Sequence, residues 1–246
     1  MAREYPLDRS AGWQRWPTPL LGIGLLVVAA VWLLQARLAL GLSTAFLAGV
    51  AGGLVTVSVP VGWAVSRADE PITFATAVTL SRGAALAVFA GFLATGLPAG
   101  RAAWLPAVLF AIAAGLDTLD GAIARATDAI SELGGRLDTE MDGLTVLFGT
   151  ALIVAADLVP RVFLLVGLAR YLFVFGCWLR RRRDCPVYDL PPSQLRRVLG
   201  GLAMATVWLA LLPVTEPSVT RPVAVVVLVP FCFNFSRDWL TVSGRR

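Results

Sequence analysis

The chain has no histidine, and because all 21 of its basic residues are arginine it has no lysine either. Imidazole metal ligands, imidazole bases and lysine Schiff-base chemistry are therefore excluded. Cysteine is scarce: Cys177, Cys185 and Cys232 show no CxxC spacing, so neither a disulfide framework nor a zinc site is indicated. Charge is scarce too, at 15% of residues against 57% hydrophobic, with a mean hydropathy of +0.76. That balance belongs to an integral membrane protein rather than a soluble domain. Residues 1–19 carry Arg3, Arg9 and Arg15 but no small-residue cleavage site after a short apolar core, and read as a cytoplasmic tail. The net charge of +5 is explained by basic loops that orient a membrane protein, and calls for no nucleic-acid partner.

What is present is a succession of apolar runs. About 20 residues cross a hydrocarbon core, and on that measure Leu20–Leu34 and Leu38–Ser66 are the first two spans. Pro71–Arg82 is less hydrophobic and reads as a short amphipathic segment at the interface. Gly83–Leu97 and Trp104–Arg125 follow, then a polar connection over Ala126–Leu137 broken at Gly134–Gly135. The fifth span runs from near Asp138 to Ala156 and the sixth over Val162–Leu179. After a loop with Arg180–Arg183, Val198–Leu212 and Val223–Phe235 complete an all-α protein of about eight transmembrane helices. With both termini inside, sixteen arginines fall on the cytoplasmic side and four (Arg37, Arg101, Arg161 and Arg221) outside, leaving Arg170 within the membrane. This asymmetry predicts a multi-pass cell-membrane protein in that orientation.

The most informative stretch is Asp117–Asp142, DTLDGAIARATDAISELGGRLDTEMD. At ~100° per residue, Asp117 and Asp120 lie about 60° apart on a helix, and Asp138 and Asp142 about 40° apart. Each pair therefore points its oxygens from one helical face. Gly121 and Gly134 sit where a side chain would block a ligand from approaching the backbone. Ionisable groups at a membrane boundary are costly and mark a functional site by default. Asp138 also suits a helix start as a solvated cap. Asp69, Glu70, Asp128, Glu132 and Glu140 read as solvated loop charges or, for Glu140, as pointing away from its two neighbours.

The spacing Asp117-x2-Asp120-Gly121-x2-Ala124-Arg125-x8-Gly134-x3-Asp138-x3-Asp142 resembles the signature of the CDP-alcohol phosphotransferase family, with every fixed position present. Beyond these 26 residues the likeness extends more loosely over residues 71–242. It implies residues 71–246 as a six-helix family core, preceded by residues 1–70 with the tail and two additional transmembrane helices. It further implies transfer of a phosphatidyl-type group from a CDP-linked lipid, diacyl or ether, to an alcohol, with release of CMP, as in phospholipid biosynthesis. By the same resemblance Asp117, Asp120, Asp138 and Asp142 hold Mg²⁺ or Mn²⁺, two ions, with Asp142 also the general base. Asp117, Gly121, Ala124, Arg125 and Gly134 would receive the nucleotide, Arg125 by pairing with a phosphate or by locking a carboxylate. A homodimer among membrane lipids is implied as well. The chemistry agrees: hard cations take carboxylate and phosphate oxygens, and a hydroxyl is a poor nucleophile until its proton is accepted.

Arg170 lies mid-span, where an unpaired cation costs ~2.5–3.5 kcal/mol on the lenient scale. It either pairs with an acid on a neighbouring span or faces the cavity and binds an anionic acceptor or a lipid phosphate. Arg180–Arg183 read as a surface anchor, whereas Arg196 and Arg197 are candidates for an acceptor phosphate. If so, the acceptor is a phosphorylated polyol such as glycerol phosphate or inositol phosphate. The alternative function is a divalent-cation membrane carrier using the same aspartates. Carriers place such sites near the midplane, on broken helices and across repeats, whereas these acids lie at span ends and no repeat is evident.

Overall fold

The computed structural model describes residues 17–38, 43–65, 74–127 and 132–245. Among them there are eight α-helices and no strand: α1 (Pro17–Leu38), α2 (Thr44–Val65), α3 (Phe74–Thr95), α4 (Leu105–Thr127), α5 (Glu132–Ala155), α6 (Leu164–Arg182), α7 (Gln194–Leu211) and α8 (Pro217–Val242). Short 3₁₀ turns at Gly100–Trp104 and Arg161–Phe163 lead into α4 and α6. The all-α expectation holds. Among the described residues three stretches are long and apolar enough to cross a bilayer, Thr44–Gly62, Arg161–Arg182 and Pro217–Val242. Leu20–Ala36, Ser81–Thr95 and Gly100–Leu116 are shorter apolar helices. Large apolar side chains stand outward along these helices, among them Leu25, Trp32, Val55, Val59, Val226 and Phe233. An apolar exterior of this kind suits lipid rather than water.

The chain forms two compact units. The first comprises the described residues up to Thr95 together with Ala111–Asp142; the second comprises Gly96–Phe110 and the described residues from Gly143 onward. In the first, α3 is the central helix: every residue from Arg82 to Phe92 is buried, as befits a helix covered on all sides. Small residues make this possible. A Cβ at Gly53 of α2 would sit 2.5 Å from Ala90 Cβ and 3.0 Å from the Ala87 backbone, and one at Gly49 would sit 2.8 Å from the Ala90 carbonyl. This is a small-residue helix contact of the kind that holds helices together in lipid. Phe46 closes one end of it, edge-to-face with Phe92 at 5.2 Å. The Ser43 Oγ accepts the Phe46 N–H and caps α2, and Gly96, at φ +80°, ends α3.

In the second unit, Phe173 of α6 meets Phe235 and Trp239 of α8 edge-to-face, at 6.0 and 5.8 Å. At the end that begins α8, Thr220 Oγ1 donates to the Leu158 carbonyl at 2.6 Å, and Arg221 pairs with Asp157 at 2.9 Å. At the other end, the loop after α6 is fastened to the end of α8. The Arg180 guanidinium donates to the carbonyls of Pro186 and Ser243, and the Tyr188 N–H donates to the Val242 carbonyl.

Several boundaries differ from those the sequence suggests. Residues from Phe74 through Arg82 are not a separate interfacial piece but the first turns of α3, because the charge that would end the span is paired internally. Gly134–Gly135 does not break the chain: both lie inside α5, which starts at Glu132, so Asp138 is not a cap residue. The last helix is longer than Val223–Phe235, carrying Arg237, Asp238 and Trp239 within it to Val242. Trp239 lies against α6, where a Cβ at Gly176 would come within 2.5 Å of its ring.

Candidate active site

The site is built around Arg82, whose side chain is wholly buried in α3. Its Nε donates to the Ala113 carbonyl of α4 at 2.8 Å. Its two terminal nitrogens donate to Asp138 Oδ1 and Asp142 Oδ1 of α5, each at 2.5 Å. The geometry follows from helical spacing. Residues four apart stand one above the other on the same helical face, so α5 presents both carboxylates to one planar guanidinium, whose fork can serve two oxygens at once. A buried guanidinium requires such partners, since removing one partner from a buried pair typically costs about 3–5 kcal/mol. The acids are unlike the arginine in exposure: their side chains keep 38% and 36% of their accessible surface. The two carboxylates are thus tethered to the guanidinium while part of each side chain stays accessible.

Asp138 and Asp142 are therefore brought together, as their spacing suggests. Asp117 and Asp120 lie on α4, Asp117 one helical turn beyond Ala113, in the same segment as Gly121, Ala124 and Arg125. The side chains of these residues, and of Gly134 on α5, lie outside the described part of the structure. Among the described residues no three acidic, cysteine or histidine side chains form a cluster able to hold a metal ion. The two convergent carboxylates are hard-oxygen donors of the type Mg²⁺ and Mn²⁺ select, so the residues present fit such an ion, with further ligands needed to complete it.

Arg170 is half-buried on α6, its stem laid along α5: a Cβ at Gly143 would fall 2.6 Å from Arg170 Cδ. A side chain at Gly143, next in sequence to Asp142, would push that stem aside. Arg196 lies in the first turn of α7, whose cap is Ser193. Its Nε donates to Asp238 Oδ2 at 3.0 Å and its Nη2 to the Pro191 carbonyl. Asp238 is buried and also accepts from Asn234 Nδ2 at 3.0 Å. Arg196, Arg237, Asp238, Ser193, Thr241 and the Leu190–Pro192 segment line a pocket of about 390 Å³. Arg197 is exposed. Arg182 lies over the Trp178 ring at 4.4 Å, a cation–π contact that fits a surface anchor.

Sequence reasoning missed Arg82 as a site residue, assigning it only to the cytoplasmic side. The signal was there: clustered carboxylates at a membrane boundary need a countercharge, and Arg82 is the lone charge opening a long uncharged run. Asp238, which accepts from Arg196, was also not among the sequence candidates.

A helical membrane-type fold with aspartates gathered on one helical face defines the class, and sequence comparison agrees. The chain belongs to the CDP-alcohol phosphatidyltransferase family, whose model matches residues 72–233. It is also similar to the archaetidylinositol phosphate synthase of Pyrococcus horikoshii, with 49% identity over 51 residues, 20% of this chain and 27% of that protein. The match thus spans about a quarter of the relative's length. No solved structure matches the chain.

Proposed function

We propose that this protein is a membrane enzyme that transfers a phosphatidyl-type group from a CDP-linked lipid to an alcohol. The observation that carries this reading is the pair Asp138 and Asp142, gathered on buried Arg82 inside the segment the family model matches. The acceptor hydroxyl oxygen attacks the lipid-side phosphorus of the diphosphate. The bond from that phosphorus to the bridging oxygen breaks, and CMP leaves with that oxygen. The hydroxyl proton passes to the Asp142 carboxylate, a general-base step worth roughly 10²–10⁴-fold. Asp117, Asp120, Asp138 and Asp142 are the residues that would hold two Mg²⁺ or Mn²⁺ ions, which when bound neutralise the diphosphate and stabilise the leaving CMP. Gly121, Ala124 and Gly134 leave the backbone accessible to the nucleotide, beside Asp117 and Arg125.

We infer that the acceptor is a phosphorylated polyol, with inositol phosphate the first candidate, since the Pyrococcus relative is named for an archaetidylinositol phosphate product. Of the three arginines considered for its phosphate, Arg196 has the best support, because it lines a pocket together with Arg237. Arg170 and Arg197 are further candidates. The same reading keeps eight spans, with residues 1–70 as an extension to a core over residues 71–246. It also keeps a site facing the cytoplasm and a homodimer.

The test is CMP release by the purified chain in lipid–detergent micelles with Mg²⁺, offering diacyl and ether CDP-lipids and a panel of acceptors. Release stimulated by inositol phosphate, abolished by a chelator and at least ~100-fold lower in Asp142→Asn, is expected. No release from either donor with any acceptor would sink the reading and leave the cation carrier to be tested by Mn²⁺ flux into vesicles.

A further inference from the structure

We propose that Arg82 is a positioning residue that stays seated on Asp138 and Asp142 when a divalent cation is bound, aiming their remaining oxygens at it. This rests on reading those aspartates as metal ligands. Three observations carry it. First, Arg82 has an anchor besides the acids: Nε donates to the Ala113 carbonyl of α4, so α3 and α4 also constrain the guanidinium plane. Second, the terminal nitrogens of the fork meet Oδ1 of each carboxylate. One oxygen per acid is thereby held at a defined point, four residues apart on one helix. Third, the arginine is wholly buried whereas each carboxylate retains more than a third of its surface. A cation therefore approaches the acids from the side opposite the guanidinium and does not need to displace it.

The alternative, a latch that leaves when the cation arrives, would require the buried guanidinium to give up its bonds to Ala113, Asp138 and Asp142. It would also have to find room in a helix whose residues from Arg82 to Phe92 are all buried. Ligating carboxylates are commonly held by a hydrogen bond from a neighbouring residue, and loss of that neighbour costs 10–100-fold in metal affinity. Lysine cannot replace this arrangement. It keeps the charge but is a point donor on a flexible stem, unable to span two carboxylates and a carbonyl in one plane.

The experiment uses the full chain in detergent micelles without substrate, following free and bound Mn²⁺ by electron paramagnetic resonance. Arg82→Lys is expected to bind Mn²⁺ about 10–100-fold more weakly and to change the bound-Mn²⁺ spectrum, while the metal-free variant still unfolds in a cooperative thermal transition. Unchanged affinity in Arg82→Lys, or tighter binding in Arg82→Gln, would overturn the proposal in favour of a merely competing charge. Should neither variant fold, a Mn²⁺-bound structure of the unsubstituted chain decides: Arg82 still on Ala113 and both carboxylates supports positioning, and Arg82 swung away overturns it. An unsubstituted chain that binds no Mn²⁺ overturns both this proposal and the metal assignment. One that binds Mn²⁺ but releases no CMP sinks the transferase reading alone.

Discussion

Asp238 shows how one buried acid organises polar groups that the chain brings from far apart. It accepts from Arg196, 42 residues earlier, and from Asn234 one turn before it. The Oδ1 of Asn234 is buried without a hydrogen-bond partner among the described residues, so its amide depends on Asp238 for the bond it makes. Replacing Asp238 by alanine should therefore leave a buried donor unsatisfied, at a cost of about 1–3 kcal/mol. Arg196 keeps 39% of its side chain exposed and finds water instead, adding little. Thermal unfolding of Asp238→Ala in micelles checks this, and a transition temperature equal to that of the unsubstituted chain would count against it. Arg196 was readable as a functional candidate because arginines near a span end are visible locally. Its acid was not, because nothing in local spacing connects residues 196 and 238.

Among elements, the contact of α2 with α3 is the sharpest case. Gly52 and Gly53 are adjacent, yet a Cβ at Gly52 meets nothing within 4 Å while one at Gly53 collides with Ala90 and the Ala87 backbone. Gly53→Val should destabilise by about 1–3 kcal/mol through overpacking, and Gly52→Ala should be neutral or better, since alanine suits a helix interior. Unfolding free energies of the two variants test this directly, and equal effects would mean that the helices are not in close contact. The sequence shows the glycines but not which one faces α3. The same limit explains two misread boundaries. A glycine costs a helix only about 1 kcal/mol, so Gly134 and Gly135 are carried inside α5 by its other contacts. A charge ends an apolar run only while it lacks a partner, and Arg82 has two carboxylates and a carbonyl.

At the scale of the molecule, the arginine distribution predicts that the loop after α6 lies in the cytoplasm. Cys185 tests it, because it is exposed in that loop while Cys177 and Cys232 are only partly accessible. A membrane-impermeant maleimide should label Cys185 in inside-out vesicles and spare it in intact spheroplasts. Labelling from outside would invert the topology and put the aspartates on the wrong side for a cytoplasmic nucleotide. By itself the sequence determined the helical class, the scarcity of charge that calls for lipid, and the facing of Asp138 and Asp142. Each of these depends on composition or on the 3.6-residue period, both local properties. Only the tertiary structure decided that Arg82 holds those acids, that Asp238 holds Arg196, and that α3 lies at the centre of its unit. A buried charge takes as partner whatever the meeting of separate helices brings within hydrogen-bond distance, and that meeting is set by packing over the whole surface of each helix rather than by any one stretch of chain.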